Sequence, residues 1–512
     1  LLLVGETLPA EAWFALMRAS ALFNKEAAQA ITQLMPVIRL MGSSEASDWN
    51  TTKFSTWWAT IKDRKGAGRD AALLYSLFDA LGEPVPMEAW SKLVTGGARR
   101  AVSMPEAALW FRLIEATEAA REGGKPLLDS QIEVTRAIDS VEICIETLRT
   151  EAGHVIPMRI NAASAGRLAF TQYEPIGVLV AVSAFNHPIN LIAHQVAPAI
   201  AVGCPVIVKP AEDTPLSCFR LVNILRQAGL PEGWCQAVYP ESLAVAEQLV
   251  TDARVAMFSF IGSAKVGWML RSKLAPGTRC ALEHGGVAPV ILAEDADLAL
   301  ALAAVLKGGF YHAGQVCVSV QRVYAPQGMA ELFARQLADA AAKLMVGDPT
   351  LADTEVGPLI RPREVERVHA WVSEAVAAGA TLLTGGAPLS ATTYAPTVLF
   401  NPPESARISQ EEVFGPVVCV YAVADMDEAI ERANALPVSF QAAVFTQNID
   451  NALRLFSRLN ASAVMVNDHT AFRVDWMPFA GLKRSGHGVG GIAHSMHDMQ
   501  IEKMMVIRSS EL

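Results

Sequence analysis

From Ile176 onward the chain alternates short uncharged runs with helix-length segments, and this alternation limits the fold more than any other feature. Ile176-Gly177-Val178-Leu179-Val180-Ala181-Val182 is apolar throughout, with no polar residue at every second position. A strand of that composition is buried on both faces. Residues 191–202 then carry a helical pattern, 205–208 a strand, 216–228 a helix and 255–260 a strand. Strands of this kind separated by helices predict a parallel sheet covered by helices. The pattern returns around 290–345 and 370–460, which predicts a second α/β lobe.

A chain of 512 residues is too long for one hydrophobic core. Four parts are expected: 1–122, 123–285, 286–487 and a tail over 488–512. Residues 127–153 read as one long amphipathic helix, with Ile132, Val134, Ile138, Val141 and Ile145 as its apolar stripe. Short β-type runs over 153–173 fit a hairpin. Residues 1–122 read as all-α. There Leu3-Val4-Gly5-Glu6 and its sequel to Trp13 are echoed by Ala80-Leu81-Gly82-Glu83 and its sequel to Trp90. Each copy places Gly at a helix end and Pro at the next helix start. A stacked helical repeat and a plain bundle both fit this pattern.

Composition removes several function classes. The net charge of −10 argues against a nucleic-acid surface, which needs clustered Lys and Arg. No uncharged apolar run reaches the about 18 residues of a membrane span. The seven cysteines are scattered and lack any Cys-x-x-Cys pair, so neither a disulfide framework nor a metal site is expected, and a reducing cytoplasm fits. No basic stretch precedes Leu1-Leu2-Leu3-Val4, so no signal peptide is read.

Five stretches carry polar residues where chemistry is expected. In Phe310 to Arg322, Cys317 follows the small pair Ala313-Gly314, which leaves room for a substrate beside a nucleophile; most cysteines are buried and inert. Lys209 and Glu212 follow a buried strand, where ligands of open parallel sheets bind, and both can hydrogen-bond a ribose; a solvated loop has the same composition. Gly262, Ser263 and Gly267 open a helix after the next strand. Gly262 permits close backbone approach and Ser263 can donate to a phosphate, although the spacing is not Gly-x-Gly-x-x-Gly. Glu283 stands in an apolar run before Gly285-Gly286, as a general base or as a paired surface carboxylate. Asn186 ends the strand at 176–183, as an oxyanion donor or as a turn residue.

Taken in order, Phe185-Asn186-His187-Pro188, Lys209-Pro210-Ala211-Glu212, Ile261-Gly262-Ser263, Leu282-Glu283-His284-Gly285-Gly286, Gly314-Gln315-Val316-Cys317, Glu412-Val413-Phe414-Gly415-Pro416 and Pro478-Phe479-Ala480-Gly481-Leu482-Lys483 resemble the NAD(P)-dependent aldehyde dehydrogenase superfamily over about 120–512. The resemblance implies a Rossmann-type cofactor domain over 123–285, a catalytic α/β domain over 286–487, and oligomerisation through the hairpin and the tail, giving a homodimer or homotetramer. It implies that the thiolate of Cys317 attacks an aldehyde, that Asn186 and the Cys317 N–H hold the oxyanion, and that Glu283 activates water to hydrolyse the thioester. Lys209 and Glu212 would hold the adenine ribose, Gly262, Ser263 and Gly267 the pyrophosphate, and Glu412 with Phe414 the nicotinamide ribose. A carboxylate at 212 repels a 2′-phosphate, which favours NAD over NADP.

Departures from the pattern are His284 where the family usually has Leu, Ala480 where it usually has Gly, and Val238-Tyr239-Pro240-Glu241 in place of a Val-Pro-Gly turn. The family's entry hairpin and first helices are not found in residues 1–120. His187 and Arg473 are candidates to flank the substrate and pair with an anionic tail; alternatively Arg473 pairs with Asp475. The expected reaction is oxidation of an aldehyde, small and anionic or hydroxylated, to a carboxylate. A dehydrogenase-fold scaffold without activity is the competing reading, and a CoA-acylating enzyme is disfavoured by Glu283.

Overall fold

The computed structural model describes residues 115–512, and residues 115–123 are helical. The all-α reading of 1–122 therefore lies, up to residue 114, outside the described residues. Helix α1 (Leu127–Thr150) leads into an arm of β1 (Val155–Ile156) and β2 (Arg167–Pro175). The first lobe then alternates β3 (Val178–Val182), helix α2 (Asn190–Ala201), β4 (Val206–Lys209), β5 (Cys235–Ala237), β6 (Val255–Ile261), helix α3 (Ala264–Arg271) and β7 (Arg279–Glu283). The second lobe contains β8 (Ala288–Leu292), helix α4 (Leu298–Phe310), β9 (Val320–Pro326), helix α5 (Pro362–Ala377), β10 (Thr381–Thr384), β11 (Thr397–Phe400) and β12 (Val417–Val423). The remaining strands are β13 (Val438–Ser439), β14 (Gln441–Phe445), β15 (Ala463–Val466), β16 (Leu482–Lys483), β17 (Gly486–His487) and β18 (Gln500–Arg508).

The first sheet has the order β17-β7-β6-β3-β4-β5. Strands β3 to β7 are parallel, and β17 closes one edge antiparallel. The chain moves outward from β3 to β5 and then restarts on the other side of β3 with β6. Reversal of strand order between β3 and β6 opens a crevice beyond their carboxyl ends, where such sheets bind ligands. The second sheet, β10-β11-β12-β9-β8-β14-β15, is parallel except at β10. Val290, Val323, Val420 and Val444, one from each of four neighbouring strands, are fully buried. This is the two-sided burial that the continuous apolar runs demand. Among the described residues no helix is long and apolar enough to cross a membrane.

The expected apolar stripe of α1 is corrected by the structure. Ile132, Val141 and Ile145 are exposed, and the buried face carries Asp129, Ser130, Glu133, Val134, Ala137, Ser140 and Cys144. Polar groups turn inward because they are satisfied there. The Glu133 carboxylate accepts from Lys125 Nζ at 2.5 Å and from the backbone N–H groups of Ile189 and Asn190 at 2.9 and 3.0 Å. It thereby supplies acceptors at the start of α2, which has no side-chain cap of its own. The arm extends as a three-stranded sheet, β1-β2-β18. In β18, Ile501, Met504, Met505, Val506 and Ile507 are all exposed.

Candidate active site

Five of the sequence candidates stand at strand ends of the first sheet. Asn186 follows β3, Lys209 is the last residue of β4, Gly262-Ser263 follow β6 and Glu283 ends β7. Three more come from the second sheet at the opposite strand polarity. Cys317 precedes β9, Glu412 and Phe414 precede β12, and β9 and β12 are hydrogen-bonded neighbours. The carboxyl ends of one sheet thus face the amino ends of the other across one cavity of about 790 Å³. Asn186, His187, Lys209, Glu212, Gly262, Ser263, Glu283, Cys317, Glu412, Phe414 and Arg473 all line it.

The nucleophile loop is held from several sides. Helix α4 starts at Asp297, whose carboxylate accepts from the N–H groups of Ala299 and Leu300. It ends at Gly308-Gly309, where a Cβ on Gly309 would meet Val418 at 2.4 Å. His312 and Ala313 then adopt left-handed φ values of 48° and 53°. Backbone strain of this kind in non-glycine residues persists only where the surroundings enforce it. Gly314 follows at φ 71°, and a Cβ there would lie 2.1 Å from the Gly415 carbonyl oxygen. The loop of Cys317 and the loop of Glu412 and Phe414 interlock at that point. Gln315 ties the turn down, donating to Pro358 O at 3.1 Å and accepting from Ile360 N at 3.0 Å. Gly286 N donates to the Cys317 carbonyl at 3.2 Å, linking the nucleophile to the segment after Glu283.

Asn186 is buried, and its Nδ2 donates to Gln315 O at 2.8 Å. An amide nitrogen has two hydrogens, so one remains for a substrate oxygen. His187 Nε2 lies 3.2 Å from Tyr311 Oη. Phe414, at φ 46°, stacks edge-on against Phe185 with centroids 5.8 Å apart.

Burial dominates the electrostatics. It pushes the Cys317 thiol up to about 12, with Glu412 adding to the rise and Arg473 opposing it. Loss of hydration likewise raises Glu283, against Arg473, and pushes Glu412 up to about 8, against Arg367. Burial thus opposes formation of the Cys317 thiolate that the expected chemistry needs.

Several features fit a dinucleotide. Glu412 Oε1 is buried with no hydrogen-bond partner among the described residues. Ser263 occupies the N-cap of α3 but makes no side-chain capping bond, so its hydroxyl is uncommitted. Tyr239 Oη donates to Glu212 O at 3.3 Å, which places the unusual Tyr239-Pro240 turn beside this end of the crevice. Gly267 is the exception. It does not line the cavity, and a Cβ there would meet His284 Cε1 at 2.1 Å. Its small size serves the packing of His284, whose Nδ1 lies 2.8 Å from Gly262 O.

The aldehyde dehydrogenase family model matches residues 112–505. The chain belongs to the aldehyde dehydrogenase family. It is accordingly an oxidoreductase of aldehydes that works with NAD(P). It is 37% identical over 388 residues to the 3-sulfolactaldehyde dehydrogenase of Priestia aryabhattai, covering 76% of this chain and 81% of that one. It is 36% identical over 392 residues to the lactaldehyde dehydrogenase of Methanocaldococcus jannaschii, covering 76% and 82%. Aldehyde dehydrogenase 21 of Physcomitrella patens, solved in complex with the reaction product succinate, superposes with a TM-score of 0.76 at 37% identity, covering 79% of this chain and 84% of that one.

The sequence motifs do not single out Arg136, which lines the cavity, or His194, which stands behind its wall, and they include Gln315 without marking its part in tying down the turn. Arg136 sits among other charges on a long helix, and the Arg473-Val474-Asp475 run was the available signal for Asp475.

Proposed function

We propose that this aldehyde dehydrogenase oxidises a small anionic or hydroxylated aldehyde to its carboxylate with NAD. The observation that carries the reading is a common cavity holding Cys317, Glu283, Asn186 and the buried, incompletely paired guanidinium of Arg473. Cys317 Sγ attacks the aldehyde carbon, and the proton of the thiol is released from the site. The second N–H of Asn186 and the backbone N–H of Cys317 stabilise the oxyanion of the thiohemiacetal. Lys209, Glu212, Ser263 and Glu412 would hold NAD, which would supply the hydride acceptor for this step. Glu283 then removes a proton from water as it attacks the thioester, which frees the carboxylate and returns the thiol. A carboxyl whose pKa is raised by burial is the better base for this step, because its affinity for the proton lies nearer working pH.

NAD is favoured over NADP by the charges around Glu212. Arg361 is the cation beside it, 3.7 Å from Glu212 Oε2, but Arg361 pairs more closely with Asp213 Oδ2 at 2.5 Å. A 2′-phosphate would meet two carboxylates, a guanidinium already committed to one of them, and the Lys209 ammonium, which donates to Pro210 O at 3.0 Å.

The test is NADH formation by the full chain with a panel of short aldehydes, anionic and neutral, beside Cys317→Ala. Wild type is expected to turn over, and Cys317→Ala to lose about 10⁴-fold or more, the scale seen when a covalent nucleophile is removed. A folded, NAD-binding wild type that oxidises none of the panel would favour the scaffold reading.

A further inference from the structure

Of the guanidiniums that line the cavity, those of Arg136 and Arg473 stand in different surroundings. Arg136 on α1 makes a bidentate pair with Asp475, Nε to Oδ2 at 3.1 Å and Nη2 to Oδ1 at 2.6 Å. Its charge is matched. The Arg473 side chain is only 8% exposed, yet its Nε is 3.8 Å from Asp475 Oδ1, beyond hydrogen-bond reach. Among the described residues that Nε has no hydrogen-bond partner. The guanidinium carbon lies 3.6 Å from the centroid of the Phe479 ring, so one face of the group is covered.

What orients Arg473 is a histidine. Arg473 Nη2 lies 3.2 Å from His194 Nδ1, and His194 Nε2 lies 2.6 Å from Asp475 Oδ1. A carboxylate only accepts, so Nε2 carries the hydrogen. Burial, together with the nearby charge of Arg473, pushes His194 down to about 4, so the ring is neutral and Nδ1 is a bare acceptor. Arg473 therefore donates to His194, which donates to Asp475. One carboxylate serves two guanidiniums, directly for Arg136 and through a neutral ring for Arg473. Within this group two guanidiniums share one carboxylate, Arg473 at the longer distance of 3.8 Å, and Glu283 of the same cavity is the other carboxyl acting on Arg473.

We propose that His194 and Asp475 are positioning residues for substrate recognition, holding the Arg473 guanidinium so that it binds the carboxylate tail of an aldehyde substrate. The proposal rests on the anionic-substrate reading above. It adds that selectivity is set behind the cavity wall, by a residue that does not touch the tail. Arg473, Cys317 and Glu283 line one cavity, which suits a short aldehyde with an anionic tail.

The experiment compares succinic semialdehyde with butanal, which has the same chain length and no charge, at saturating NAD. The full chain is assayed as wild type, His194→Leu, His194→Gln and Arg473→Gln. His194→Leu is expected to raise KM for succinic semialdehyde about 10-fold, the scale of one lost charge-assisted hydrogen bond, with kcat within about twofold. Both constants for butanal should stay unchanged. His194→Gln, whose amide can both accept from Arg473 and donate to Asp475, should restore most of the loss. If His194→Leu does not fold, His194→Asn replaces it, because its shorter amide cannot span both partners, and the same ordering is expected. Equal losses on both aldehydes, or an unchanged KM in the disrupting variant, overturn the positioning role. If Arg473→Gln loses the preference for the anion while the His194 variants keep it, the anionic-substrate reading stands and the positioning role falls. If Arg473→Gln keeps the preference, the anion site itself is misplaced and both fall.

Discussion

At the end of the crevice beside β4, Glu212 is 52% exposed and Arg361 30% exposed, and their charges are met by solvent and by each other. At the end beside β9, Cys317, Glu283 and Glu412 are half-buried within the cavity, and lost hydration is the largest influence on each. The two ends belong to one cavity but operate in different dielectric regimes. Charge at the open end tunes preference by small amounts, because exposed pairs are screened. Charge at the enclosed end decides whether the chemistry proceeds, because each ionisation there is opposed by lost hydration.

The largest effect should come from the enclosed end. Glu283→Gln keeps the size of the side chain and removes its basicity, and it should lower steady-state turnover about 10³-fold, within the range for a general base. A burst of NADH followed by near-arrest would locate the loss after hydride transfer. Turnover within tenfold of wild type would move the base elsewhere.

A middle effect concerns stability. The Glu412 carboxyl is raised from 4.5 to about 8 in the folded protein, so the native state keeps a proton that the unfolded chain releases. That contribution is fully present below the unfolded value and is lost as pH rises through the folded value, so stability falls over this window. Glu412→Gln cannot ionise, and its Tm without cofactor should fall less than that of wild type between about pH 5 and about pH 8. Parallel Tm profiles would mean that the carboxyl is not enclosed as described.

The smallest effect belongs to the open end. Glu212→Ala should shift the NAD-to-NADP ratio of kcat/KM toward NADP by no more than about fivefold, the ceiling for one exposed charge. A shift of several hundredfold would give the open end the weight assigned here to the enclosed one.

The sequence made the same contrast only partly legible. Continuous apolar runs announced the parallel sheets, because two-sided burial tolerates no alternation. Lys209, Gly262 and Glu283 were legible as strand-end residues, and the reversal between β3 and β6 explains why strand ends so far apart in the chain meet. The α1 stripe misled because periodicity counts apolar residues and cannot see that Lys125 and the start of α2 satisfy Glu133 inside. Arg136 and Asp475 are 339 residues apart, and no local pattern encodes such a pair. The upward push of burial on the Cys317 thiol was equally hidden, since it follows from the packing of both lobes around it and not from the residues beside it.

The most direct test of the account is mass spectrometry of Glu283→Gln, quenched during the burst with NAD and succinic semialdehyde. Stoichiometric acylation confined to the peptide containing Cys317, absent in Glu283→Gln/Cys317→Ala, is the predicted result. NADH formation with no adduct, or an adduct on another residue, would contradict it.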